Sequence, residues 1–518
     1  MSTGTVTPYR SDTRAGRDGF SQLLRAEWTK FRTVGGWVIG LIAAALVTVL
    51  LMLPVASGHS FCNGRACTRS LAVGPGGEAV TDSFYFVHRV LDGNGSITVR
   101  VTSLAGGTAS HGPIGHATAA QPWAKAGIII KQSTRQGSAY AAMMVTGGHG
   151  VRMQYNYTGD TPGLAGTVST VSPRWLRLTR SGDTLTGYGS ANGAAWTRVG
   201  TVRLAGLSAA VQAGVFVTSP ASTRLTSQRL LGFSDLSGPT AATAVFDHVS
   251  THGTWPYGAW RGQVIAGPTD LVQGGGYHRA DGRFTVTGSG DIAPLVAGPG
   301  HPGLTVEHLL VGAFVGLIAV VVVGAMFMTA EYRRGLIRTT LAASPRRGRV
   351  LVAKSIVIGA VAFVAGLAGA AAAVTLGERL MRDNGNVVYP VTPLTELRAV
   401  AGTAAVFAVA AVLALAVGAI VRRSPAAVAA VIVVIVLPYL LAVPHALPLG
   451  AARWLLRITP AAGFAVQQSL PQYPQVSTIY YPSNGYYPLA LWAGFAVLCG
   501  YAALALAVAI VLLRRRDA

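Results

Sequence analysis

The run VGAFVGLIAVVVVGAMFMTAEYRRGLIRTT, residues 311–340, decides the architecture. Its first twenty residues are uncharged, and as helix they would cross a hydrocarbon core about 30 Å thick. The chain then turns abruptly to Glu331, Arg333, Arg334 and Arg338. Five further stretches have the same character, so six spans are predicted: 35–56, 307–330, 354–376, 398–421, 425–443 and 488–513. None carries an Asp, Glu, Lys or Arg in its interior as bounded here, and Pro438 is placed to kink the fifth. The first span follows a polar leader and lacks a small-residue cleavage pattern, which predicts an uncleaved anchor.

Composition agrees. A chain of 518 residues with 51% hydrophobic residues, 12% charged residues and a mean hydropathy of +0.46 is too apolar for a soluble protein. A net charge of +22 would suit nucleic acid, but the charges sit beside apolar spans, so no nucleic-acid partner is expected. Their placement sets orientation instead. With the N-terminus inside, 18 basic residues fall in the leader, the 331–354 loop, Arg422–Arg423 and residues 514–516. The short loops on the other side hold five: Arg379, Arg382, Arg398, Arg453 and Arg457. Both termini are therefore expected in the cytoplasm and residues 57–305 outside, in contact with membrane lipid on all six spans.

Residues 78–295 change period from helical to two, with frequent turn signals, as in an antiparallel sandwich. AGIIIKQ (126–132), SAYAAMMVTG (138–147), GVRMQYNY (150–157), GAAWTRVGTVRL (193–204) and AAVQAGVFVTS (209–219) read as strands. RWLRLTRSGDTLTGYGS (174–190) reads as a hairpin turning at Ser181-Gly182-Asp183, and GRFTVTGSGDIAP (282–294) as closing strands. The fold class is thus a six-span helical membrane protein with a large extracytoplasmic all-β sandwich between spans one and two. Cys62 and Cys67, in CNGRAC, permit a disulfide or two free thiols; Cys499 lies inside a span. No metal site or cofactor is expected. The carboxylates of the β region fall mostly in apparent turns, without the facing pair that glycoside hydrolysis needs. His248 and His252 read as loop histidines.

WLRLTRSGDTLTGYGSANGAAWTRVG resembles the jelly-roll domains of the concanavalin A-like (laminin G-like) superfamily. The resemblance rests on Ser190, Asn192, Gly193, Trp196, Val199 and Gly200, and Trp196 is expected in the core.

EYRRGLIRTTLAASPRRGRVLVAK, Glu331 to Lys354, places Ile337, Leu341 and Ala342 at helical spacing beside Arg334, Arg338 and Thr339, with Pro345 as the stop. Such an amphipathic helix suits contact with a soluble motor. Here the chain resembles permeases of type-2 ATP-binding-cassette exporters over about half its length. LLRAEWTKFRTVGGW (23–37) is similar to their elbow helix, and the segment after span two to their coupling helix. Residues 444–487, with RWLLRITP and QQSLPQYP, are similar to their outer re-entrant segment.

The resemblance implies a coupling loop formed by Glu331, Tyr332, Arg333, Arg334, Arg338, Thr339, Pro345, Arg346 and Arg347. It also implies a separate ATPase, a homodimer or a heterodimer with a second permease, and a bacterial plasma membrane location. The sequence has no Gly-Lys dipeptide and hence no G-x-x-x-x-G-K-[ST] loop, so ATP is to be used by a partner subunit. The implied division is 1–34 leader and elbow, 35–56 first span, 57–305 β domain, 306–330 second span, 331–353 coupling loop, 354–513 spans three to six, and 514–518 tail. A second reading treats the β domain as a membrane-anchored module that binds or senses a glycan or peptide.

Overall fold

The computed structural model describes residues 19–57, 71–108, 119–228, 232–266, 274–298, 303–335, 347–442 and 447–516. Among them, period-two alternation becomes strands that fall, in chain order, between the first and second long helices. The first group is β1 (Ala72–Val73), β2 (Ala79–Asp82), β3 (Phe84–Thr108), β4 (Lys125–Lys131), β5 (Tyr140–Thr146), β6 (Val151–Tyr155) and β7 (Gly159–Pro162). There follow β8 (Arg174–Ser181), β9 (Thr184–Ser190), β10 (Thr197–Arg203), β11 (Ala210–Thr218), β12 (Ser222–Gln228) and β13 (Gly232–Gly238). The last are β14 (Thr240–Thr254), β15 (Arg261–Ile265), β16 (Gly276–Ala280), β17 (Arg283–Ser289) and β18 (Ile292–Pro294).

Thirteen of the described strands form one sheet, whose main path runs β10-β9-β8-β3-β11-β4-β5-β6-β7. It curls until β10 touches β6 and β7, making a large, nearly closed β-sheet domain. Val87, Leu91, Ile97, Ile128, Ile130 and Met153 fill its interior. The small sheet β1-β2-β18 is associated with a second apolar layer that includes Phe84, Phe86, Ile129, Tyr140 and Phe216. Apolar cover on both faces explains why β4 reads as an unbroken apolar run and has every residue buried.

The hairpin at 174–190 turns at Gly182-Asp183, pairing Ser181 with Thr184. Gly182 sits at φ +59°, where glycine carries no Cβ penalty. The sequence reading missed β3, a 25-residue strand that pairs with β8, β11, β14 and β15. Its Asp92-Gly93-Asn94-Gly95 run carries the composition of a turn. The backbone instead continues, with a register shift in the pairing to β14 between Gly253 and Thr254; a Cβ on Gly95 would stand 2.5 Å from the His252 carbonyl oxygen, so only glycine permits the close approach there.

Among the described residues six helices are long and apolar enough to cross a membrane: Gly35–Ala56, Val311–Arg333, Arg347–Asp383, Pro393–Val421, Ser424–Ala442 and Leu491–Arg515. Against expectation, the third begins at Arg347 and so takes Lys354 into a helix interior. The stretch 23–37 is not one helix: the elbow helix Phe20–Thr33 ends at Val34, and Gly35 opens the first long helix. The fourth helix packs on the second, third and sixth. The second and fourth bury 67% and 61% of their apolar stretches, the first and sixth 22% each, so the latter two lie at the bundle's periphery. Pro438 is accommodated inside the fifth helix. Between the fifth and sixth come a helix, Leu449–Ile458, and a 3-10 segment, Pro460–Gln467.

Small residues set the closest approach. A Cβ on Gly312 would sit 2.3 Å from the Thr48 carbonyl oxygen, and one on Gly316 2.7 Å from that of Ala44, so the first and second helices touch backbone to backbone. Gly36 has nothing within 4 Å. Gly312→Val is therefore expected to lower the monodisperse fraction and melting temperature of detergent-purified protein, while Gly36→Val leaves both near wild type; size-exclusion chromatography and a thermal melt check this.

Candidate functional site

The residues flanking the 331–349 loop meet the elbow helix in a buried ion cluster. Glu331 ends the second helix and Lys354 lies two turns into the third. Glu27 and Lys30, three residues apart on the elbow helix, complete the group. Lys354 Nζ donates to Glu27 Oε2 at 2.6 Å and to Glu331 Oε1 at 2.7 Å. Lys30 Nζ donates to Glu27 Oε1 at 2.9 Å and Glu331 Oε1 at 3.1 Å. Glu27 and Lys354 are fully buried, and the four formal charges cancel. Burial pulls the Lys30 ammonium down, but bonding and attraction to Glu27 and Glu331 outweigh it and hold the group above its ordinary value.

An aromatic nest backs the cluster. Phe31, four residues after Glu27, stacks on Trp37 at 6.2 Å and meets Phe327 edge-on at 5.8 Å. Lys354 Nζ stands 4.6 Å from the Phe327 ring centre, where the ring's negative face attracts an ammonium. Elbow, second helix and third helix are thereby fastened at one point.

Of the residues expected to form a coupling loop, Glu331 is buried, Tyr332 lies under the Arg422 guanidinium at 5.0 Å, and Arg333 and Arg334 are exposed. Arg347 donates to the Leu513 carbonyl oxygen at 3.0 Å. Arg338, Thr339, Pro345 and Arg346 lie outside the described residues, as do Cys62 and Cys67. Sequence reading counted Lys354 as a loop cation and did not connect it with Glu27. Its counter-charges come from positions 23 and 327 residues away, which a hydropathy window cannot see.

At the other end of the bundle the β domain is packed on the helix connections. Ala297, Val296, Tyr389, Val476 and Tyr486 share a buried cluster. The Tyr486 hydroxyl accepts from Ala297 N at 3.0 Å, and Gln475 Nε2 donates to the Thr158 carbonyl at 3.1 Å. Glu307, just before the second helix, is buried and accepts from the Ser469 backbone N–H and, at 2.6 Å, from its hydroxyl. The third helix, 37 residues and so about 55 Å long, runs from the loop to this region. Beyond its end Tyr389 N donates to the Leu304 carbonyl at 3.0 Å.

Within the β domain the carboxylates are strand-borne more often than expected: Asp82, Asp92, Asp160, Asp235 and Asp247 lie on strands. Several are matched by cations. Lys131 Nζ donates to Asp82 at 2.7 Å and Lys125 Nζ to Asp291 at 2.6 Å, both lysines fully buried. Burial pushes the Tyr157 phenol far up, and it donates to Asp82 at 2.8 Å. Ser190 and Asn192 organise their turn, accepting from the backbone of Gly193, Ala194 and Ala195. Trp196 is not in the core: it is half-buried just before β10, with the guanidinium of Arg177 on β8 4.0 Å over its ring.

No family model matches the chain, and no curated protein does. Among solved structures it is similar to a functionally unknown protein from Saccharomyces cerevisiae, at 15% identity over 34% of this chain and 77% of that one, TM-score 0.19. It is also similar to Scytalido-glutamic peptidase bound to a peptide-based transition-state analogue, at 9% identity over 40% and 98%, TM-score 0.23. Likenesses at these scores carry no inference about fold or activity.

Removing one partner of a buried charge group strands the rest, so Lys354→Met should destabilise by roughly 3–5 kcal/mol. Adding Glu27→Gln and Glu331→Gln to Lys354→Met should recover much of that loss, as read by melting of the purified protein. In the β domain, a 2.7 Å and a 2.6 Å hydrogen bond from Arg100 hold the Asp247 carboxyl below its ordinary value. Its stabilisation is therefore present above the ordinary carboxylate range and lost as pH falls through the depressed folded value. Arg100→Gln should flatten that acid-side loss in a pH series of melts.

Proposed function

We propose that this chain is the membrane-spanning permease subunit of an ATP-driven exporter of the type-2 ATP-binding-cassette class, working with a separate ATPase. The observation that carries the reading is the Glu27–Lys30–Glu331–Lys354 cluster. It fastens both ends of the proposed motor-contact loop, through Glu331 and Lys354, to the elbow helix. A push on the loop cannot be absorbed by a floppy hinge at this joint; it is delivered to the third helix and along its whole length. That helix ends where the chain meets the β domain, so loop movement and β-domain movement are mechanically linked.

In this reading both termini and the 331–349 loop are cytoplasmic in a bacterial plasma membrane. The β domain, of jelly-roll type, stands outside, and two permease subunits, identical or sister chains, line the pathway. Lys354 and Glu331 are buried among the helices, where carriers driven by an ion gradient also keep ionisable groups. The absent P-loop and the loop itself remain as support. Packing of the β domain on 473–486 favours a part that works with the helices over an anchored sensor.

The protein should co-purify with a P-loop ATPase. Replacing Arg333, Arg334 and Arg338 together by Gln should leave the spans folded while ATP hydrolysis in the reconstituted complex no longer responds to the permease. Failure to recover any ATPase with the intact chain would exclude the proposal.

A further inference from the structure

At the loop end of the bundle a cavity of about 710 Å³ opens between the elbow helix, the start of the third helix and the end of the sixth. Arg347, Arg349 and Arg514 line its charged side, and Phe20, Val352 and Ile510 its apolar side. No carboxylate lies among these lining residues, and none of the three arginines forms an ion pair among the described residues. Arg347 spends one N–H on the Leu513 carbonyl, while Arg349 and Arg514 are exposed. Among the described residues, three guanidiniums from two helices converge on one space with no carboxylate beside them, a concentration of positive charge that an anion would neutralise. The fork of N–H donors on arginine matches phosphate oxygens, two to a guanidinium.

We propose that this cavity binds a phosphate-bearing anion, and that its occupant is the headgroup of an anionic phospholipid. The surrounding surface distinguishes lipid from a soluble phosphate. Leu504, Val508 and Val511 are exposed on the sixth helix at spacings of four and three, one continuous face. Arg514 follows Val511 by three residues, so the apolar track leads into the arginine cluster. An acyl chain lying on that track brings its phosphate level with Arg514 and Arg349. Trp28, 46% exposed on the elbow helix, supplies the amphipathic ring favoured at a headgroup boundary. Basic pockets between helices at a membrane face are suited to anionic headgroups on electrostatic grounds alone. The inference does not depend on the direction of transport or on an ATPase.

The test uses full-length protein, delipidated in detergent and titrated with phosphatidylglycerol or phosphatidylcholine, with bound lipid counted by native mass spectrometry. Wild type should retain phosphatidylglycerol on the order of tenfold or more above phosphatidylcholine, in keeping with several arginines each favouring an anionic surface. The combined R347Q, R349Q and R514Q variant should lose that preference, and the corresponding triple Lys variant should keep most of it. R379Q with R382Q, at the opposite end of the third helix, should bind as wild type does. Inorganic phosphate at millimolar concentration should not displace the lipid. Equal retention of the two lipids, or a preference that survives the triple Gln change in a monodisperse protein, would overturn the proposal. Displacement by inorganic phosphate would assign the cavity to a soluble anion and overturn the lipid occupant.

Discussion

A single buried ammonium fixes how three of the helices meet. Lys354 has no water to solvate it, so its charge is tolerable only while Glu27 and Glu331 both stand within hydrogen-bond reach. That requirement ties the elbow helix to the second and third long helices, because each carboxylate arrives on a different element. Lys30, on the more exposed side, completes neutrality. The aromatic nest of Phe31, Trp37 and Phe327 then packs where the charges have already set the spacing. A cluster of this kind adds little net stability over an apolar joint of equal volume, but it admits one arrangement of the three helices and penalises others strongly.

The β domain applies the same logic with different residues. Lys125 and Lys131 flank the fully buried strand β4, and each is met by an aspartate from the region of the small sheet, Asp291 and Asp82. The pairs hold the small sheet over the outer face of the large one, since a slip in register would leave a buried charge alone. Thus four lysines occur in the whole chain, and all four make ion pairs. Arginine, more weakly hydrated and forked, pairs with Asp247 through Arg100 and with Asp160 through Arg152 in the β domain, and lines the cavity at the loop end of the bundle.

Between the halves lies a continuous route. The third helix connects the charged joint to the segment around Tyr389, and Tyr389 touches the strand-to-helix connection near Leu304. Glu307 and Tyr486 fasten that same connection to the segment between the fifth and sixth helices. Because these contacts are buried and polar, the β domain is positioned by the helix connections and is not simply tethered to them.

Local pattern in the sequence was enough to place the six apolar helices to within a few residues at most ends, and most of the short strands. Hydropathy and period-two alternation are properties of neighbours along the chain, and a hairpin such as 174–190 carries its own turn. The pattern was misleading where tertiary pairing overrides it: β3 continues past Asp92-Gly93-Asn94-Gly95, a turn by composition, because Asp92 is paired to β11 and β14 and Gly95 to β8 and β14. Trp196, expected in the core, instead stands just before β10 and packs under Arg177 of β8. The arginines and the loop at 331–349 were legible as a charged block, but not the meeting of Glu27 with Lys354. Composition along the chain determined what this protein must bury; only the folded structure decided which distant charges share the burial, because counter-ions are chosen by proximity in space.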